Sequence, residues 1–278
     1  MDNKIRIGNK EFNIENHAYI IGILNVTPDS FSDGGNYNCI DQALFRVETM
    51  IEEGVDILDI GGESTRPGYK MITEEEEIER VTPVIEAMKS RFDIPISLDT
   101  YKGGVAKAGI KAGADMINDI RGLLYDSEMA KVIAESEVAC CLMHNRNEAI
   151  YMDFMEDVKS DLSKSLEIAK RAGIKDNRII LDPGVGFGKT YEQNLEIIRR
   201  VGELKTLGFP ILLGTSRKSV IGLTLDLPVA ERLNGTLATA AYGLMQGCAF
   251  FRVHDIKEHR ELLKMLHVIM YESIRECL

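Results

Sequence analysis

Three polar side chains set the chemical question. Asp99, Asn118 and Asp182 each lie at the end of a short apolar run, in P-I-S-L-D, M-I-N-D and I-I-L-D. Carboxylates and an amide on buried strands can read a flat heterocycle through paired hydrogen bonds to amino and ring N–H groups. The local alternative for Asp99 is a cap on a helix starting near Lys102. A second group is basic: Arg217 and Lys218 follow P-I-L-L, and Arg252 and His254 close A-F-F-R-V. Such a cluster, in a chain with a formal net charge of -11, suits a phosphate or diphosphate. Asn25 adds an oxygen that suits Mg²⁺, with phosphate oxygens and water completing the shell. Lys218 also suits a Schiff base with a carbonyl substrate, and the residues alone leave that alternative open.

The stretch Ile179–Thr190, I-I-L-D-P-G-V-G-F-G-K-T, turns sharply after Asp182. Its Gly188-Lys189-Thr190 tail resembles a phosphate-binding P-loop, but that motif requires a glycine where Pro183 stands. No G-x-G-x-x-G can be completed either, because Lys189 or Tyr191 takes the last position. Two other stretches are rich in turn formers: N-V-T-P-D-S-F-S-D-G-G (Asn25–Gly35) and G-G-E-S-T-R-P-G (Gly61–Gly68). Phe31 and Arg66 give these loops contact groups, and such loops can fold over a substrate and exclude water.

These residues need elements to carry them. Strand-like apolar runs occur at Tyr19–Val26, Asp56–Ile60, Pro95–Leu98, Met116–Ile120, Ala139–Met143, Arg178–Leu181, Pro210–Leu213 and Ala249–Val253. Amphipathic segments lie between them, among them Asp41–Glu53, Glu74–Arg91, Asp153–Ala172 and Glu192–Leu207. Strand–helix alternation implies a parallel α/β sheet, and eight repeats over this length fit a closed (β/α)8 TIM barrel. Chemistry in such barrels sits at the C-terminal strand ends, where the polar residues above fall. Ile5–Ile14, with Gly8-Asn9 as its turn, reads as an N-terminal β-hairpin able to cover the barrel bottom. One domain is expected over 1–278, with the hairpin within 1–15. Thr73 fits a helix N-cap, and the acidic run Glu74–Glu77 suits a helix start. Asn234-Gly235 signals a hairpin in isolation, but its flanks are helical.

Composition narrows the class. The chain has 278 residues, 45% hydrophobic and 28% charged, enough for an ample core. Its acidic balance argues against a general nucleic-acid binder. Five cysteines form no C-x-x-C pair. The N-terminus lacks a signal-peptide core, and no run is long enough to span a bilayer, so a cytoplasmic protein with no membrane partner is expected.

Taken together, Asn25–Gly35, Asp59–Gly68, D-T-Y-K (Asp99–Lys102), I-N-D-I-R-G (Ile117–Gly122), Leu181–Lys189, G-T-S-R-K-S-V-I-G (Gly214–Gly222) and R-V-H-D (Arg252–Asp255) resemble the dihydropteroate synthase family. The likeness runs from about residue 19 to 257. It implies a transferase that joins p-aminobenzoate to hydroxymethyl-dihydropterin diphosphate with Mg²⁺, in folate biosynthesis. Carried over by position, Asp99, Asn118, Asp182, Met143, Phe187 and Lys218 would bind the pterin. Asn25, Arg252 and His254 would bind the diphosphate, with Asn25 toward the metal. Phe31, Thr65, Arg66, Pro67 and Ser219 would shape an aminobenzoate pocket, which Phe187 would also touch and where sulfonamides compete in this family. Lys218, Asp33 and Arg66 would act in the chemistry, Asp33 as a proton acceptor or an organiser of the loops. A homodimer is the family's common state. One departure is M-H-N-R-N-E-A-I-Y-M (Met143–Met152), where many members carry Gly-x-Pro after the Met-His, and His144 is left out of the site. The alternatives are a corrinoid-dependent pterin methyltransferase, a Schiff-base lyase using Lys218, and a pterin-binding protein without turnover.

Overall fold

The computed structural model describes residues 3–26, 36–63 and 71–271. Strands β1 (Lys4–Ile7) and β2 (Lys10–Asn13) pair antiparallel around a turn in which Gly8 takes φ +59°. Eight parallel strands follow: β3 (Tyr19–Asn25), β4 (Ile57–Gly61), β5 (Ile96–Asp99), β6 (Met116–Asp119), β7 (Ala139–Met143), β8 (Ile179–Asp182), β9 (Leu212–Leu213) and β10 (Phe250–Val253). Their order is β8-β7-β6-β5-β4-β3-β10-β9. A parallel bridge between Leu181 and Ile211, with the Leu181 N–H donating to the Pro210 carbonyl at 2.9 Å, joins the two ends and closes the barrel.

The helices are α1 (Asn36–Glu52), α2 (Glu74–Arg91), α3 (Gly103–Ala112), α4 (Met129–Ser136), α5 (Phe154–Ala172), α6 (Tyr191–Arg199), α7 (Ser219–Leu225), α8 (Leu233–Met245) and α9 (Ile256–Tyr271). The segment expected to be helical over Glu192–Leu207 divides after Arg199, and Val201–Leu207 is a 3-10 helix. Gly202 explains part of this: a Cβ there would lie 2.9 Å from Gln246 Oε1 and 3.0 Å from its carbonyl oxygen, so the chain is pressed against the end of α8. Asn234-Gly235 sits inside α8, as its helical flanks require.

Strand parity sorts the core. Alternate residues point to opposite faces. Ile20, Leu58, Leu98, Ile117, Leu142, Leu181 and Phe251 pack outward under the helices. Ile21, Ile57, Met116, Cys141, Ile180, Leu212 and Phe250 pack together inside, against Ile5, Ile7 and Phe12 of the hairpin. The hairpin therefore plugs the end at which the strands begin, leaving the opposite end for chemistry.

The turn after β8 is built from close approaches. Gly184 has φ +69°, and a Cβ there would stand 1.9 Å from the His144 carbonyl oxygen. A Cβ on Gly188 (φ +54°) would meet the Arg146 carbonyl oxygen at 2.2 Å. Gly186 (φ +87°) has more room, its nearest neighbour being the Lys218 side chain at 3.4 Å. Gly184→Ala is expected to cost at least about 2 kcal/mol, from left-handed backbone strain plus the backbone clash. Gly186→Ala should cost less, and thermal unfolding of the two variants checks the ranking; equal melting shifts would refute it.

Candidate active site

Above the apolar floor the inward positions turn polar. Asp59 follows Ile57 on the same face of β4, Asn118 follows Met116 on β6, Asp182 follows Ile180 on β8, and Arg252 follows Phe250 on β10. Asp99 ends β5, two residues beyond Ser97. Arg252 Nε donates to Asp59 Oδ2 at 2.6 Å and its Nη2 to Asp99 Oδ2 at 2.7 Å. Asn118 Nδ2 reaches the same Asp59 oxygen at 3.3 Å. None of these partners sits on a neighbouring strand, so the bonds cross the barrel interior. Asp59 Oδ1, Ser97 Oγ and Asp99 Oδ1 are buried with no hydrogen-bond partner. Buried polar atoms normally find partners, and an orphan Oδ1 on Asp99 suits a ligand N–H.

Burial pushes the Asp99 carboxyl up to about 7; Arg252 opposes the rise and Asp59 adds to it. Burial likewise raises Asp182, against Lys218 and the Gly184 N–H that donates to its Oδ1 at 2.7 Å. Lys218 is lowered to about 8 by burial, with Asp182 favouring its charge and Arg252 repelling it. For Arg252, burial works against the charge, but Asp59 and Asp99 outweigh it and raise the pKa.

Lys218 precedes α7, and its Nζ donates to the Val185 carbonyl at 2.5 Å while lying 4.9 Å above the Phe187 ring centroid. Met143 packs with Tyr101 and Ile120, and Phe187 closes against them. His254 Nδ1 lies 2.9 Å from Ser216 Oγ. Ser219 opens α7 and is exposed. Asn25 ends β3 opposite Gly61, and a Cβ on that glycine would have Asn25 Oδ1 at 3.7 Å and Asp99 Oδ2 at 3.9 Å. A carbonyl and a carboxylate oxygen thus converge over a residue with no side chain. The Asp99 oxygen is already taken by Arg252, so the Asn25 carbonyl is the hard-cation donor left, and a Mg²⁺ bound chiefly by substrate phosphates needs few protein ligands. Among the described residues no cluster of three or more His, Cys, Asp or Glu side chains could hold a metal unaided.

Phe31, Asp33, Thr65, Arg66 and Pro67 lie outside the described residues. One sequence expectation is corrected. Arg217 does not join the basic cluster: its guanidinium is engaged by both oxygens of Asp255. Glu77 stands in the first turn of α2, as the acidic run suits, but it is buried and accepts from Lys102 Nζ at 2.7 Å. Asp99 does not cap α3; the Gly103 N–H goes to Asp126 Oδ2 at 2.6 Å.

Sequence reasoning passed over three groups. Asp59 is fully buried beneath Arg252. Glu63 accepts from Lys102 Nζ at 2.6 Å, from Tyr101 Oη at 2.7 Å and from the Ile72 N–H at 3.1 Å, which binds the start of β4's following loop to its end. His144 and Lys189 meet at 2.8 Å behind the glycine turn. A charged residue inside an apolar run was the available signal for Asp59, since such a residue needs a buried partner.

A family model described as "Pterin binding enzyme" matches residues 21–254. The chain is 58% identical over 267 residues to dihydropteroate synthase of Clostridium beijerinckii, covering 96% of this chain and 99% of that protein. A crystal structure of dihydropteroate synthase from Clostridium difficile in the presence of pteroic acid superposes with a TM-score of 0.91 at 49% identity, covering 94% of this chain and all of that one. Dihydropteroate synthase of Xanthomonas albilineans with 4-aminobenzoic acid gives a TM-score of 0.92 at 36% identity, covering 98% and 99% of the two chains.

The raised Asp99 pKa has a thermodynamic consequence. The folded protein keeps a proton on Asp99 up to about pH 7, whereas the unfolded chain releases it near 3.8. Stability of the free protein should therefore fall as pH rises from about 4 to 7, by on the order of a few kcal/mol at full effect. Asp99→Asn should flatten that slope. Denaturant midpoints measured against pH for both proteins test it, and parallel curves would be incompatible with this titration.

Proposed function

This chain belongs to the pterin-binding enzyme family, among the dihydropteroate synthases, and on that premise we propose how its residues divide the work of the reaction. The enzyme is a transferase of folate biosynthesis, joining p-aminobenzoate to hydroxymethyl-dihydropterin diphosphate and releasing diphosphate. The observation that best supports the division of roles is the unpartnered Asp99 Oδ1 beside Arg252, a buried acceptor next to a half-buried cation in one mouth.

In this reading Asp99, Asn118 and Asp182 take the amino and ring N–H groups of the pterin, and Met143 and Phe187 bracket the ring. Lys218 donates to the ring from the turn that holds it. Arg252 and His254 meet the diphosphate on the opposite side, and Asn25 would hold Mg²⁺ together with diphosphate oxygens. Bound there, the ion would supply neutralisation of charge on the departing group. The C–O bond breaks with its electron pair going to diphosphate, whose charge Arg252 stabilises. The electron-poor methylene carbon then accepts the aryl amine's lone pair, forming the C–N bond, and the amine gives up a proton. Asp33 is assigned that proton from sequence. Phe31, Thr65, Arg66, Pro67 and Ser219 are assigned the aminobenzoate subsite, where a sulfonamide would compete. Positioning and charge stabilisation carry the catalysis; no protein nucleophile is required.

Among the described residues no helix is long and apolar enough to cross a membrane. The cytoplasmic location and the homodimer enter this proposal from the sequence and the family resemblance.

Purified protein with Mg²⁺, the pterin diphosphate and p-aminobenzoate should release diphosphate only when aminobenzoate is present and form a pteroate product. Pterin binding without release would point instead to a methyltransferase or a non-catalytic binder. Lys218→Ala should lower kcat/KM for the pterin diphosphate roughly 10- to 100-fold, the value of one hydrogen bond to a charged donor. Near-normal turnover in that variant would remove Lys218 from the site.

A further inference from the structure

Lys189 has no role in the P-loop that its neighbours imitate, nor in the pterin site as described. Its Nζ nevertheless sits at the meeting of two loops, 2.8 Å from His144 Nδ1, 2.9 Å from the Gly184 carbonyl oxygen and 3.1 Å from the Phe187 carbonyl oxygen. Burial lowers the Lys189 pKa to about 7, with Asp182 favouring the charge; the charged amine has three N–H donors, and three acceptors surround it. His144 is buried, and burial together with the Lys189 charge holds its pKa down to about 3, so the ring is neutral. Nδ1 then accepts from Lys189, and the Nε2 proton faces Asp161 Oδ2 at 3.3 Å. Arg146 Nε anchors that carboxylate at 2.6 Å. The chain of contacts runs from α5 through the end of β7 to the turn after β8.

The other side of that turn faces the mouth. Val185, between the two glycines, gives its carbonyl to Lys218 Nζ, and Phe187 lies beneath the same ammonium. Lys189 thus grips the carbonyls on either side of the one that aims Lys218. Two neighbouring features have their own supports: Thr190 and Gln193 form a complete capping box for α6, and the Gly186 N–H donates to Asn194 Oδ1 at 2.5 Å. Loss of Lys189 would loosen the Gly184–Phe187 part of the turn without removing the helix start, while Tyr151 Oη still donates to the Gly188 carbonyl at 2.7 Å.

We propose that Lys189, oriented by His144, is a positioning residue that fixes the Gly184–Gly188 turn so that Val185 and Phe187 hold Lys218 toward the pterin diphosphate. This rests on the functional reading above. The partners of Lys189 Nζ are His144 and two carbonyls of the turn, so its effect is transmitted through the turn to Lys218 and should fall chiefly on the pterin side.

The test uses the full-length chain with Lys189→Met, which removes all three donors, and Lys189→Gln, which keeps two. Calorimetry gives Kd for the pterin diphosphate without aminobenzoate, and steady-state rates give KM for each substrate. Lys189→Met should raise the pterin-diphosphate Kd roughly 10- to 100-fold, as small misplacements of positioned groups do. The aminobenzoate KM should stay within about twofold, with Lys189→Gln intermediate on the pterin side. A lower melting temperature with unchanged pterin Kd would overturn the proposal, as would equal losses for both substrates. If the Met variant does not fold, the Gln variant is judged by the same split. A wild-type protein that turns over neither substrate would instead overturn the reading beneath it.

Discussion

The site depends on one guanidinium. Arg252 enters the barrel from β10 and spans Asp59 and Asp99, carried by β4 and β5. Without it, two carboxylates would share a cavity closed below by isoleucines, Met116 and Phe250, and a buried charge without a partner is strongly destabilising. The planar fork of arginine suits this task, since its donors reach two carboxylates at once while a lysine would offer a point charge. Asp59 is fully buried. It orients Arg252 and, through its shared oxygen, Asn118.

Compensation stops short of completion. Asp99 keeps an oxygen without a partner, and Asp59 and Ser97 each leave one as well. The free protein carries the cost of these atoms, and a ligand that donates N–H groups to Asp99 relieves part of it. The same burial that raises the Asp99 pKa therefore favours a ligand rich in donors. A heterocycle with an amino group beside a ring N–H meets that requirement better than a simple anion would.

Much of this was legible in the sequence, for a physical reason. Strand ends are marked locally: Asp99, Asn118 and Asp182 each stop an apolar run, and the observed strands end within a residue or two of the expected positions. Eight strand–helix alternations leave few topologies, and the hairpin's apolar residues had only the barrel bottom to cover. What escaped was pairing at a distance. Asp59 lies inside I-L-D-I-G, and its partner Arg252 is 193 positions away. Glu77 reads as one acid among four at a helix start, and only Lys102 rising from the next strand–helix unit shows that it is buried. Arg217 failed the opposite way: four residues in the same sequence neighbourhoods looked like a basic cluster, but Asp255 had already claimed one of them. Phe31, Asp33, Thr65, Arg66 and Pro67 rest on sequence alone.

The division between strand-borne and loop-borne residues follows the demands of the chemistry. Reading a rigid ring needs donors and acceptors fixed to a fraction of an ångström, and strands tied into a closed sheet provide that. Loops around a strand end are less constrained unless something clamps them, and clamps recur around this mouth. Glu63 and Lys102 join the two stems of the segment after β4, since both also bond to Ile72, through its N–H and its carbonyl. Gly184 and Gly188 let the turn after β8 lie directly on the chain after β7. Each clamp is a buried charge or a left-handed glycine, features that cost stability in a barrel and that packing alone would not require. Their concentration at the C-terminal ends of the strands, opposite the apolar plug, places the constrained part of the molecule where a substrate must be held still while its bonds change.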